Sequence, residues 1–139
     1  MKIPFHRPSF PENTINNIET VLSSGWVTTG KNTHLFEDEL CKYLKAKHVI
    51  ALNSCTSALH LGALVSGLTD RDLFIVPTYT FVSSVEIGEY IGAKPLLVDI
   101  DEKTMNLDLN QVEDYLKKYG QKIKTIIPVH LAGNPVKMN

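Results

Sequence analysis

Four short, uniformly apolar runs, His48 to Asn53, Leu73 to Val76, Pro95 to Asp99 and Thr125 to Val129, punctuate this chain, and a helix-periodic segment separates each from the next. A strand with one wet face alternates apolar and polar residues, whereas an unbroken apolar run requires cover on both faces. The intervening segments run from Ser57 to Gly67, Phe81 to Ile91 and Asn110 to Tyr119, with Gly67 and Gly92 as stops for the first two. Asp108 and Gln111 have the spacing of a capping box at the start of the third. The order β-α-β-α-β-α-β implies an α/β fold, a three-layer αβα arrangement around a mostly parallel sheet.

Ahead of this alternation, residues 1–46 read as a helical lead-in. Ile15, Ile18, Val21 and Leu22 mark one helix face between Glu12 and Ser23, with Gly25 as its stop, and Leu35, Phe36, Leu40, Tyr43 and Leu44 mark another between Thr33 and Leu44. The loop between them, Ser23-Ser24-Gly25-Trp26-Val27-Thr28-Thr29-Gly30, carries the chain's one tryptophan. Residues 47–139 then form the alternating β/α segment of the same domain.

Lys and Arg number 14 against 15 Asp and Glu, and the signs are mixed along the chain, so no nucleic-acid or membrane surface is expected. No apolar run approaches the roughly 20 residues of a membrane span. The amino-terminal stretch lacks the apolar core of a signal peptide, which points to the cytoplasm. Cys41 and Cys55 match no disulfide or metal framework and read as buried thiols. Dinucleotide, P-loop and zinc motifs are absent, and no metal site is expected. Cys55 with His130 lacks a third residue to orient a nucleophilic pair. Asp99 and Asp101 read as turn caps.

Open α/β sheets take ligands at the carboxyl ends of their strands. The end after the first run is Asn53-Ser54-Cys55-Thr56-Ser57, where small hydroxyl residues open a helix. Such a turn presents free amides at the positive end of a helix dipole and suits a phosphate, although Ser and Thr also serve there as plain helix caps. The next end, Pro77-Thr78-Tyr79-Thr80-Phe81, adds an aromatic ring that can stack on a planar ligand or join the core. His130, at the last end, is given no proton-transfer role.

Taken in order, Ser24-Gly25-Trp26 with Thr29-Gly30, Phe36-Glu37, Asn53 to His60, Pro77 to Phe81, Gly92-Ala93 with Pro95, Val98 to Asp101, and Ile127 to Gly133 with Pro135 resemble the amino-terminal part of the DegT/DnrJ/EryC1/StrS aminotransferases. The resemblance implies part of the large domain of the aspartate-aminotransferase (type I) fold and pyridoxal 5′-phosphate (PLP) as cofactor. It also implies transfer of an amino group from glutamate to a nucleotide-linked keto sugar, as in polysaccharide biosynthesis. By the same resemblance Ser54, Cys55 and Thr56 hold the cofactor phosphate, Phe81 stacks on its pyridine ring, and Trp26, Thr29 and Gly30 border the substrate. Arg71-Asp72 and Cys55 depart from the family, which commonly has glycine before that aspartate and glycine or alanine at the cysteine position.

In the family, the Schiff-base lysine and the acid that protonates the pyridine nitrogen lie downstream of the matching region. No lysine here holds that position, so no catalytic residue is assigned. The chain is expected to be a truncated or split portion that is inactive alone and associates with itself or with a complementary chain. A noncatalytic module that binds a phosphorylated ligand or a partner is the alternative, and dehydration in place of amino transfer is open at this level.

Overall fold

In the computed structural model, which describes residues 2–4 and 6–138, the chain divides into two compact units, Met1–Ala51 and Leu52–Asn139. The first unit contains α1 (Thr14–Ser23) and α2 (Lys31–Leu44). Helix α1 ends as expected: Gly25 adopts φ +70° and its amide donates to the Leu22 carbonyl at 3.1 Å. Neither helix contains a buried residue, and Ile15, Ile18, Leu22, Leu35 and Phe36 are all exposed. The apolar periodicity is therefore real, but the cover it calls for is not seen among the described residues.

The apolar run at 48–53 does not form the expected strand. A strand exists only where a ladder partner exists, and none is found for this run among the described residues. Ile50 is 76% exposed, and the Ala51 amide instead donates to Glu37 Oε1 at 2.8 Å. That bond is the chief reason the Glu37 carboxyl lies below its usual range, with His34 adding to the effect.

The second unit is the α/β segment, running α3 (Cys55–Val65), β1 (Leu73–Pro77), α4 (Ser83–Ile91), β2 (Lys94–Val98), α5 (Leu109–Tyr119) and β3 (Ile123–Ile126). The sheet is parallel, in the order β2-β1-β3. Strand β1 is central, and its period-two alternation builds both layers. Phe74 and Val76 pack on one face with Ala63 of α3, Leu68, Ile87 of α4 and Ala93. Ile75 packs on the other with Val98, Leu107 and Val112 of α5. The three-layer αβα expectation holds for this unit.

Phe74 comes so close to α4 that only glycine fits opposite it: a Cβ on Gly88 would collide with ring atoms Cε1 and Cζ. Strand β3 stops earlier than the sequence suggests, because Pro128 has no amide to donate and the last sheet bond runs from the Ile127 amide to the Ile75 carbonyl at 2.8 Å. The expected capping box at α5 is also altered. Asp108 caps the Asn110 amide at 2.9 Å, but Gln111 bonds the Asp108 carboxylate and the Asp99 amide rather than closing a box. Among the described residues no helix is long and apolar enough to cross a membrane.

Candidate functional site

The carboxyl ends of β1 and β3 and the start of α3 enclose a pocket of about 710 Å³. Helix α3 begins with Ser54 as N-cap, in extended backbone, its hydroxyl oxygen accepting from the Ser57 amide at 3.1 Å. Ser57 Oγ donates to Asn53 Oδ1 at 3.1 Å, which leaves the Ser54 hydroxyl proton to bond Ser57 Oγ at 2.9 Å. The Ser54 side chain is thus consumed in holding the turn. The amides of Cys55 and Thr56, the first two of the helix, are not reached by this cap, and neither has an acceptor among the described residues. They and the Thr56 hydroxyl are the donors the turn can offer to an anion, at the positive end of the helix dipole.

Phe81 follows β1 through the turn that leads into α4 and sits just ahead of that helix rather than at its first residue. Its ring lines the same pocket and is 74% exposed, so it is not a core residue. The turn is pinned behind it by Thr80 Oγ1 against Ser84 Oγ at 2.8 Å and by the Ser84 amide donating to the Phe81 carbonyl at 3.0 Å. The opposite wall runs from Ile127 to Ala132. Cys55 is exposed beside the free amides and Cys41 is half-buried, so neither thiol is buried as the sequence reading expected.

Three of the four residues expected at the cofactor, Cys55, Thr56 and Phe81, line one pocket, with Ser54 as the cap beneath them. The donor set fits an aromatic phosphate ester: two free amides and a hydroxyl for the anion, an exposed ring for stacking, and a volume within the usual range for small ligands. No lysine, Asp or Glu lines it. His130 does, although the sequence marked it only as a strand-end residue.

Trp26, Thr29 and Gly30 form a separate cluster within the first unit. The indole Nε1 donates to the Thr29 carbonyl at 2.9 Å, and the ring lies against Gly30, where a Cβ would come within 2.5 Å of Nε1. Trp26 is 62% exposed, so it clasps its own loop rather than plugging a core. The first unit has a cavity of its own, of about 550 Å³, lined by Thr14, Ile18, Leu22 and neighbours with no charged side chain.

Asp101, in the loop after β2, accepts from the amides of Lys103 and Thr104 and from the Thr104 hydroxyl. The Thr104 bonds hold its carboxyl below its ordinary value of 3.8. The turn-capping role expected of it is what these bonds show.

The sequence profile of the DegT/DnrJ/EryC1/StrS aminotransferase family matches residues 8–139. The protein MJ1066 of Methanocaldococcus jannaschii is 37% identical over 137 residues, which cover 99% of this chain and 35% of that protein. Among solved structures, Spr1654 of Streptococcus pneumoniae in its PLP-form superposes with a TM-score of 0.83 at 36% identity, covering 99% of this chain and 34% of that one. The E. coli GDP-4-keto-6-deoxy-D-mannose-3-dehydratase with bound hydrated PLP shares the fold, with a TM-score of 0.85 at 23% identity, over 97% of this chain and 36% of that one. The chain therefore spans about a third of the length of the relatives it matches.

Proposed function

The chain belongs to the DegT/DnrJ/EryC1/StrS aminotransferase family, and from that premise we propose that it forms the cofactor-gripping portion of a PLP-dependent sugar aminotransferase. The observation that carries this reading is the convergence of the unbonded Cys55 and Thr56 amides and the exposed Phe81 ring on one pocket. The amides and the Thr56 hydroxyl would hold the phosphate, and the exposed Phe81 ring would offer the pyridine ring a stacking surface. Ser54 keeps the turn in shape through its bond to the Ser57 amide. When bound, PLP supplies the carbonyl that accepts an amino group and the electron sink that makes the transfer feasible. That chemistry also needs an amine and an acid near the ring, and the pocket is lined by neither. The chain alone is accordingly inactive.

Glutamate as donor, a nucleotide-linked keto sugar as acceptor, a cytoplasmic setting and a place in polysaccharide biosynthesis complete the proposal, supported by kinship with the family. Trp26, Thr29 and Gly30 are assigned to the substrate on the same support. Association with a second copy or with a complementary chain is assigned on the exposed apolar faces of α1 and α2, and the amine and acid come from polypeptide outside these 139 residues.

Equilibrium dialysis of the chain against PLP and against pyridoxal, which lacks the phosphate, tests the reading. PLP is expected to bind at least tenfold more tightly. Thr56→Ala should remove about tenfold of that preference, the size of one hydrogen bond to a charged group. Phe81→Ala should weaken both ligands about equally, by roughly fivefold. Equal affinity for PLP and pyridoxal sinks the phosphate assignment, and glutamate-dependent amino transfer by the chain alone sinks the claim of inactivity. The absence of an amine and an acid from the pocket favours, as a second reading, a noncatalytic phosphate-ester binder. Simple sugar phosphates would then compete with PLP on equal terms.

A further inference from the structure

The wall facing Phe81 is closed by an unusual bond. Beyond β3 the chain curls through Leu131–Gly133, with Ala132 at φ +50° and Gly133 at φ +80°, and returns so that the Val136 amide donates to His130 Nδ1 at 3.0 Å. An Nδ1 that accepts carries no proton, so the neutral ring holds its proton on Nε2. Among the described residues the Val136 amide has no other acceptor.

The same turn is tied from outside by two amide side chains. Asn134 Nδ2 donates to the Thr104 carbonyl at 2.8 Å, and Asn106 Nδ2 to the Pro135 carbonyl at 3.3 Å. Asn106 is itself buried, and its Oδ1 has no partner among the described residues. The outer ties fix Asn134 and Pro135. Within the turn the Asn134 amide donates to the Leu131 carbonyl at 2.8 Å, and the imidazole is the tie between the returning chain and His130 itself, in the middle of the wall that runs from Ile127 to Ala132.

We propose that His130 is a positioning residue of the pocket: as a neutral imidazole it accepts the Val136 amide at Nδ1 and so fixes the wall from His130 to Ala132 opposite Phe81. The proposal rests on the phosphate-ester reading of the pocket given above. It also accounts for the ring in a way that leaves Nδ1 unavailable as a proton acceptor for chemistry.

The geometry of amide replacements provides the test. In His130→Asn the side-chain carbonyl oxygen falls near the place of Nδ1; His130→Gln puts its oxygen near the place of Nε2, and His130→Ala has no acceptor. His130→Asn is expected to keep PLP affinity within about twofold of the parent, while His130→Gln and His130→Ala lose about five- to tenfold, as expected for one net hydrogen bond. Amide exchange at Val136 should follow the same order, slow in the parent and His130→Asn and fast in the other two. A long-range nitrogen-proton spectrum of the parent chain should show His130 with Nε2 protonated and Nδ1 bare. A proton on Nδ1 of the neutral ring overturns the proposal, as does equal behaviour of His130→Asn and His130→Ala. Should PLP and pyridoxal bind equally to the parent, the cofactor reading fails by itself, and the tautomer and Val136 exchange still decide whether His130 fixes the wall.

Discussion

Two glycines inside helices make opposite predictions for the same substitution. Gly62 in α3 faces open space, with nothing within 4 Å of a Cβ built there, whereas a Cβ on Gly88 in α4 would overlap Phe74. Alanine is favoured over glycine in a helix interior by about 1 kcal/mol, so Gly62→Ala should stabilise the chain by about 0.5 to 1 kcal/mol. At Gly88 the same gain is opposed by overpacking, which costs about 1 to 3 kcal/mol in a filled core. Phe74 is fully buried among Ala63, Val76 and Ile87, so the ring has nowhere to retreat and the upper part of that range applies. The net expectation for Gly88→Ala is a loss of about 1 to 2 kcal/mol after the helix gain is subtracted. Urea denaturation followed by far-ultraviolet circular dichroism measures both. Adding Phe74→Leu, which removes the colliding ring edge, should make Gly88→Ala less harmful by about 1 kcal/mol in a double-mutant cycle. Equal stabilisation by alanine at 62 and 88 would refute the reasoning, since helix propensity alone would then be in control.

Ser54→Ala removes the N-cap of α3 and should lower stability by about 1 kcal/mol, with Ser54→Gly recovering most of it, read from the same urea midpoints. The depressed carboxyl of Asp101 contributes stability that is fully present above its ordinary value of 3.8 and is lost as pH falls through its lower folded value. In thermal melts Asp101→Asn should flatten that acid limb, and an unchanged limb would assign it to other carboxylates. Gly30→Ala forces the indole off the loop and breaks its bond to Thr29, so the Trp26 indole proton should exchange with solvent faster by proton NMR. Unaltered exchange would show that the loop absorbs the methyl group by shifting elsewhere.

Strands β1 and β2 were legible because their apolar runs coincide with real ladders, and α1, α3 and α4 because helical period and a glycine stop agree, with Gly25, Gly67 and Gly92 all at positive φ. The run at 48–53 shows the limit of that signal. Apolar residues state a demand for cover, but a ladder depends on a neighbour that can be distant in sequence, and composition is silent about it. The overlong reading of β3 has another cause, a proline whose missing amide ends the pairing. At the site, the hydroxyl-rich turn was readable as either cap or cradle; the structure gives Ser54 the capping task and leaves the amides of Cys55 and Thr56 without an acceptor among the described residues. Phe81 was ambiguous between core and ligand, a question that depends on exposure rather than residue type. The His130 bond to Val136 closes a turn through two left-handed residues, one of them an alanine, and no sequence rule anticipates that path.

The clasp of Trp26 over its own loop has a practical consequence for anyone who follows this protein by light. The chain has a single tryptophan, and its ring is already largely in water. Its emission therefore reports the local state of the loop at 24–30, while the sheet and its flanking helices contain only tyrosine and phenylalanine as native fluorophores. Melting of the α/β unit can pass with little change in tryptophan colour, and a shift in that colour can accompany loop opening with the sheet intact.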